Sequence, residues 1–192
     1  MGKIFYQVVR PISNLFIDIL YGPKIYNEEL IPKDGPIIFA GNHLTDMDQV
    51  IVIRSTKRSV RFLTKKELYH GLLGIILKLY DTIPVDRENK ENNNAMEISE
   101  EALRMREAIN IFPEGHKNKT DEILLPFKFG AVSLSQKTGA YIVPFGINGK
   151  LKAFRRGVVV NFGEPFKVEG DLEEENNKLR EKIIELIHKG DK

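Results

Sequence analysis

Several short apolar runs, each cut off abruptly by a turn, constrain this chain more than any other feature. Pro36-Ile37-Ile38-Phe39-Ala40 leads into Gly41-Asn42-His43, and Ala108-Ile109-Asn110-Ile111-Phe112 stops at Pro113. Tyr141 to Ile147 and residues 157–162 are similar. Continuous apolar runs of this length read as strands buried on both faces. Between them lie stretches with helical spacing, at about Asp46–Thr56, through His70-Gly71 and Leu72–Tyr80, at Ala95–Glu107, at 129–138 and at 171–189. Ser59–Leu63 adds a strand, Ile83-Pro84-Val85 a short strand or extended turn, and the polar run 88–94 an exposed loop. Strands alternating with helices predict an α/β sandwich rather than a bundle or a barrel. At 192 residues the chain suits one domain with a sizeable core.

Residues 1–30 form a distinct N-terminal helical region ahead of the main unit at 31–192. Ile12, Leu15, Phe16, Ile19 and Leu20 recur at helical spacing, and Pro11 is expected to split the region into two short pieces. Such pieces either pack on the core or, with Lys3 and Arg10 as flanking cations, lie in a membrane interface. No apolar stretch reaches the ~20 residues needed to cross a bilayer as a helix, and no secretory signal is expected.

The net charge of +2 says nothing about nucleic acid, and no nucleic-acid partner is expected, whereas Arg54–Lys66 gathers six cations without an acid. That strip is either a solvated face or a surface for phosphates, anionic lipid or an acidic carrier protein. The chain has no cysteine, which rules out a disulfide framework, a thiol nucleophile and a thiolate metal site.

The chemistry gathers where the strands end. His43 and Asp48 are five apart, a spacing that rotates them by roughly 140° on a helix. They meet only if His43 lies in the strand-to-helix turn and Asp48 on the first turn of the helix. Thr45-x-x-Asp48 matches a helix-entry box, which supports a helix starting there. The plain alternative is a polar helix entry without chemistry. Ile83-Pro84-Val85-Asp86-Arg87 ends in an arginine whose planar fork suits a phosphate, or in a surface Asp-Arg pair. Ile111-Phe112-Pro113-Glu114-Gly115 sets a carboxylate and a flexible glycine at a strand end. Lys128 and Gly130 open a helix whose free N–H groups favour anions. Val143-Pro144 belongs to an apolar strand that either walls a hydrophobic ligand or fills the core. His70, His116 and His188 do not fall at metal-ligand spacing, and no metal is expected.

Asn42-His43-x4-Asp48, Ile83-Pro84-Val85-Asp86-Arg87, Phe112-Pro113-Glu114-Gly115 and Val143-Pro144-Phe145-Gly146-Ile147 occur in that order. Together they resemble the four blocks of the glycerolipid acyltransferase family, over about Ile31 to Pro165, and most of all its bacterial 1-acyl-sn-glycerol-3-phosphate acyltransferases. The resemblance implies a mixed β-sheet flanked by helices, with an N-terminal membrane-associating helical motif. It implies acyl transfer from an acyl carrier protein or coenzyme A thioester to 1-acylglycerol 3-phosphate, forming phosphatidic acid, with no bound cofactor.

Under it, His43 is the general base and Asp48 its orienting acid. Arg87 binds the acceptor's phosphate, Glu114 and Gly115 shape the head-group site with Asn42, Lys117 and Lys128 beside them, and Val143 and Pro144 border the acyl chain. The protein would sit on the cytoplasmic face of the cell membrane, peripheral or monotopic. In that setting the interfacial reading of the N-terminus is preferred, and the basic strip faces lipid phosphate, carrier protein or coenzyme A. One departure stands out. The family commonly continues Thr-Arg-Ser after Phe-Pro-Glu-Gly, whereas this chain has His116-Lys117-Asn118, which opens the acceptor to another lysolipid or a glycolipid. A non-catalytic lipid-binding protein on the same fold, and a phosphohydrolase, are the rival readings.

Overall fold

A seven-stranded sheet, in the order β1-β7-β6-β2-β5-β3-β4, organises the computed structural model, which describes residues 2–86, 94–149, 154 and 157–191. Its strands are β1 (Lys24–Tyr26), β2 (Ile37–Gly41), β3 (Val60–Lys65), β4 (Ile83–Val85), β5 (Ala108–Ile111), β6 (Tyr141–Asn148) and β7 (Val159–Phe162). All neighbours are parallel except β6 and β7, so the sheet is mixed. The helices are α1 (Gly2–Leu20), α2 (Asp48–Ser55), α3 (Gly71–Leu79), α4 (Ala95–Arg104), α5 (Gly130–Thr138) and α6 (Leu172–His188).

Every residue of β2 and β5 is buried, because both faces of the sheet are covered. Ile38, Ala40, Ile109 and Ile111 point to one side, against α4, α5 and α6. Ile37, Phe39 and Ala108 point to the other, with Ile51 and Val52 of α2 and the rings of Phe145 and Phe162. The helix after β2 therefore lies on one face and the helix after β5 on the opposite face. β2 and β5 are adjacent, so the sheet opens a crevice between their C-terminal ends, where ligands of such sheets bind.

Two expectations fail in the N-terminal region. Pro11 does not divide it, since α1 is continuous from Gly2 to Leu20 with the proline inside. The ring removes one N–H and crowds the carbonyl a turn earlier. Tertiary contacts offset that cost. Arg10 donates to the carbonyls of Ile53 and Arg54 at the end of α2, and Ser13 shares a hydrogen bond of 2.9 Å with Tyr80 just past α3. The second miss is β1, three residues that pair with β7 at the sheet's edge and were read as part of the helical region. Such a short strand carries no periodicity to find. The expected exposed loop at 88–94 falls, apart from Asn94, outside the described residues.

Candidate active site

The pairing of β2 with β5 brings two loops together: Asn42-His43 after the first, Phe112-Pro113-Glu114 after the second. His43 sits in the turn and Asp48 is the first residue of α2. Nδ1 of His43 lies 2.9 Å from Oδ2 of Asp48, whose side chain is wholly buried. The same oxygen accepts from the backbone N–H groups of Leu44 (2.6 Å) and Thr45 (2.7 Å), and the other accepts from the Thr45 hydroxyl (2.9 Å). Four donors thus satisfy a buried carboxylate that would otherwise be costly to desolvate. Because an ionised carboxylate only accepts, Nδ1 carries the hydrogen and Nε2 keeps the lone pair. Only half of the expected helix-entry box forms: the Asp48 carboxylate accepts from the Thr45 N–H, but the Thr45 hydroxyl donates to Asp48 and accepts from the N–H of Met47 rather than from that of Asp48.

The backbone of His43 is gripped from both sides. Its N–H donates to Oε1 of Glu114 at 2.8 Å, and its carbonyl accepts from the N–H of Asn118 at 2.8 Å. The other oxygen of Glu114 accepts from the N–H of Leu125 at 2.8 Å, closing the loop that follows β5. Burial pushes the Glu114 carboxyl above its usual range, against the opposing pull of these two N–H donors. Phe112 lies flat on the imidazole, with ring centroids 3.9 Å apart and planes 5° from parallel. Asn118 also organises its own loop, accepting from Thr120 and donating to the carbonyl of Glu122.

A cavity of about 1140 Å³ opens beside His43, between α1, α2, α3 and β3. Its far walls are apolar, with Ile12 and Phe16 from α1, Phe62 and Leu63 from β3, and Leu73, Ile76 and Leu77 from α3. Its near end is polar, with His43, Asp46, Lys65, His116, Lys117 and Lys119. Lys117 pairs with Asp46 at 2.7 Å. Apolar walls leading to a base and several cations are suited to an amphiphile whose reacting group sits at the junction. Among the described residues, no group of three or more His, Cys, Asp or Glu side chains is arranged to hold a metal ion.

The remaining anticipated residues distribute differently. Gly115 has a φ of 76°, which calls for glycine; a Cβ there would also come within 2.8 Å of Nζ of Lys128, a contact the flexible lysine end could relieve by moving. Lys128 is exposed beside that turn, and its backbone N–H is bound to the carbonyl of Pro113. Asn42 does not face the cavity. It is 2% exposed, and its amide both donates to and accepts from the backbone of Ile147, tying β2 to β6. Val143 and Pro144 also line no part of the cavity. They are buried in β6 in register with Phe39 and Ala40 of β2, which makes them core rather than ligand wall.

Much of the basic strip is spent inside the fold. Arg54 pairs with Asp18, Arg58 donates to the carbonyls of Pro32 and Gly35, and Arg61 pairs with Asp81 and Glu107. Lys66 pairs with Asp86, while Lys65 reaches the cavity. Arg87 lies outside the described residues. The contribution of Phe112 was missed in the sequence although it stands in a recognised block, because one strand-end aromatic looks the same whether it fills the core or stacks on a histidine. The walls from α1 and α3 were likewise invisible as a cavity, since their apolar spacing is that of any packed helix.

The model of a family described as Acyltransferase matches residues 22–148. The 1-acyl-sn-glycerol-3-phosphate acyltransferase of Bacillus subtilis is 30% identical over 166 residues, 83% of this chain and 81% of its own length. The enzyme of the same name from Borreliella burgdorferi is 30% identical over 75% of this chain and 59% of its own length. Among solved structures, the lysophosphatidic acid acyltransferase of Thermotoga maritima superposes with a TM-score of 0.78, over 96% of this chain and 77% of that one, at 19% identity. That likeness concerns the fold.

Proposed function

Because this chain belongs to the acyltransferase family, we propose that it transfers a fatty acyl group from a thioester to the free hydroxyl of 1-acylglycerol 3-phosphate, giving phosphatidic acid. The observation that carries this reading is the His43–Asp48 pair at the polar end of an apolar cavity. Nε2 of His43 takes the proton from the acceptor hydroxyl as its oxygen bonds to the thioester carbonyl carbon. Asp48 holds the hydrogen on Nδ1 and stabilises the imidazolium that forms. The tetrahedral intermediate then collapses, the carbon–sulfur bond breaks, and the imidazolium returns its proton to the departing thiolate. No covalent acyl-enzyme is needed, and the chain has no cysteine to form one.

Lys117, with Lys65 and Lys119 lining the same cavity, offers charge to the acceptor's phosphate, and Arg87 is assigned to the same phosphate by its motif. Glu114 acts by holding the His43 backbone. Coenzyme A or acyl carrier protein delivers the acyl group. No helix among the described residues is long and apolar enough to cross a membrane. The exposed Ile12, Leu15, Phe16 and Ile19 of α1 support attachment to a membrane surface, on the side where the acceptor is supplied.

Purified protein supplied with acyl-coenzyme A or acyl carrier protein and 1-acylglycerol 3-phosphate is expected to form phosphatidic acid, read by mass. His43→Ala is expected to abolish that product while the chain stays folded. Lipid binding without any transfer by the unmodified protein would identify a binding protein instead, and release of free phosphate a hydrolase.

A further inference from the structure

Asp46 is the one carboxylate among the described residues lining the cavity. Lys65, Lys117, Lys119 and His116 line the same cavity, and the Asp46 carboxylate meets Nζ of Lys117 at 2.7 Å. The two come from different loops, Asp46 from the turn between His43 and Asp48 and Lys117 from the strap that holds the His43 backbone. Asp46 is 80% exposed at its side chain and Lys117 35%. The contact is therefore one that an incoming anion can break. Its carboxylate oxygens occupy the donors of Lys117 in the way phosphate oxygens would.

We propose that Asp46 is a specificity-determining residue, a built-in competitor that the acceptor's phosphate must displace from Lys117. This rests on the reading of the cavity's polar end as the acceptor's phosphate site. A carboxylate there stabilises the lysine cluster while the site is empty and repels a phosphate that enters it. It sets the threshold for anionic acceptors, while the base and its partner stay as they are. An exposed pair has a small coupling, so the effect is a shift in affinity, on the order of two- to five-fold, rather than a switch.

The test compares wild type, Asp46→Asn and Asp46→Glu in acyl transfer to 1-acylglycerol 3-phosphate and, separately, in inhibition by inorganic phosphate at fixed ionic strength. Asp46→Asn is expected to lower the acceptor's KM and the inhibition constant of phosphate together by about two- to five-fold, with kcat moving less than KM. Asp46→Glu keeps the competitor and stays near wild type. The gain of Asp46→Asn shrinks as salt is raised, since exposed charges are screened. A KM that rises, or a phosphate affinity unchanged by Asp46→Asn, overturns the proposal, because a merely structural aspartate would not tighten anion binding when removed. If the unmodified protein transfers no acyl group, the function fails. Direct titration of the three proteins with inorganic phosphate still decides the role of Asp46.

Discussion

Phe112 covers one face of the His43 imidazole, the ring centroids 3.9 Å apart and the planes nearly parallel. The stack fixes the plane of a ring whose edge is already fixed by Asp48, so the direction of Nε2 is set by two independent contacts. Phe112→Leu keeps apolar bulk but loses the flat contact that fixes the ring plane. We expect kcat to fall by roughly ten- to hundred-fold with little change in KM, as for a base slightly out of line. Phe112→Tyr, which keeps the ring, should stay near wild type; parity between Leu and Phe would mean the stack is idle.

Asp48→Asn tests the other contact. An amide in place of the carboxylate turns a donor toward Nδ1 and moves the lone pair away from Nε2, besides setting an NH₂ against the N–H groups of Leu44 and Thr45. Loss of kcat by roughly three to four orders of magnitude is expected, by analogy with other buried His–Asp pairs. Steady-state kinetics beside circular dichroism separates that loss from unfolding.

Glu114 makes stability depend on pH. Its folded-state carboxyl is raised by burial, so its contribution to stability is complete below the ordinary carboxylate range and declines as pH rises through the raised value. The stability of wild type relative to Glu114→Gln should therefore be greatest in acid and shrink toward neutral pH. Chemical denaturation at several pH values reads this directly. A difference that grows with pH would show that the two N–H donors, rather than burial, dominate.

Asn42→Ala strips the two hydrogen bonds that join the end of β2 to Ile147. Leaving a buried backbone N–H and C=O unpaired costs about 1–3 kcal/mol each. A lowered midpoint in urea is expected. Because Asn42 does not face the cavity, the acceptor's KM should change less than stability does.

Membrane attachment is expected to use α1 and α3 together. Ile12, Leu15, Phe16 and Ile19 are exposed on the first, Leu72, Leu73, Ile75 and Ile76 on the second, and the two helices touch. Phe16→Glu with Leu72→Glu should reduce sedimentation with phosphatidylglycerol vesicles by roughly ten-fold or more, from the lost apolar burial alone. Both positions are exposed, so the fold should be unaffected. Undiminished vesicle binding would place the attachment elsewhere.

What could be read from the sequence divides along physical lines. Buried parallel strands such as β2 and β5 declare themselves because nearly every residue is apolar, Asn110 of β5 being the polar exception. The turn position of His43 followed from helical geometry, since a five-residue spacing meets no other way. Partners set by tertiary packing did not declare themselves. Nothing in Asn42 separates a strand clamp from a substrate contact, and nothing in Val143-Pro144 separates core from cavity wall. Pro11 misled because a helix tolerates a proline once other contacts hold both halves. Arg54, Arg58 and Arg61 looked like an open cationic surface because their acceptors lie far along the chain.

The two-sided grip on the His43 backbone has a wider consequence. Glu114 and Asn118 belong to the loop after β5 that also carries His116, Lys117 and Lys119, so the His43 backbone and these three cavity-lining side chains ride on one mechanical unit. Residue swaps at 116–119 aimed at a new lipid will tug on the imidazole as well. At those four positions, choosing the guest and driving the reaction cannot be retuned one at a time.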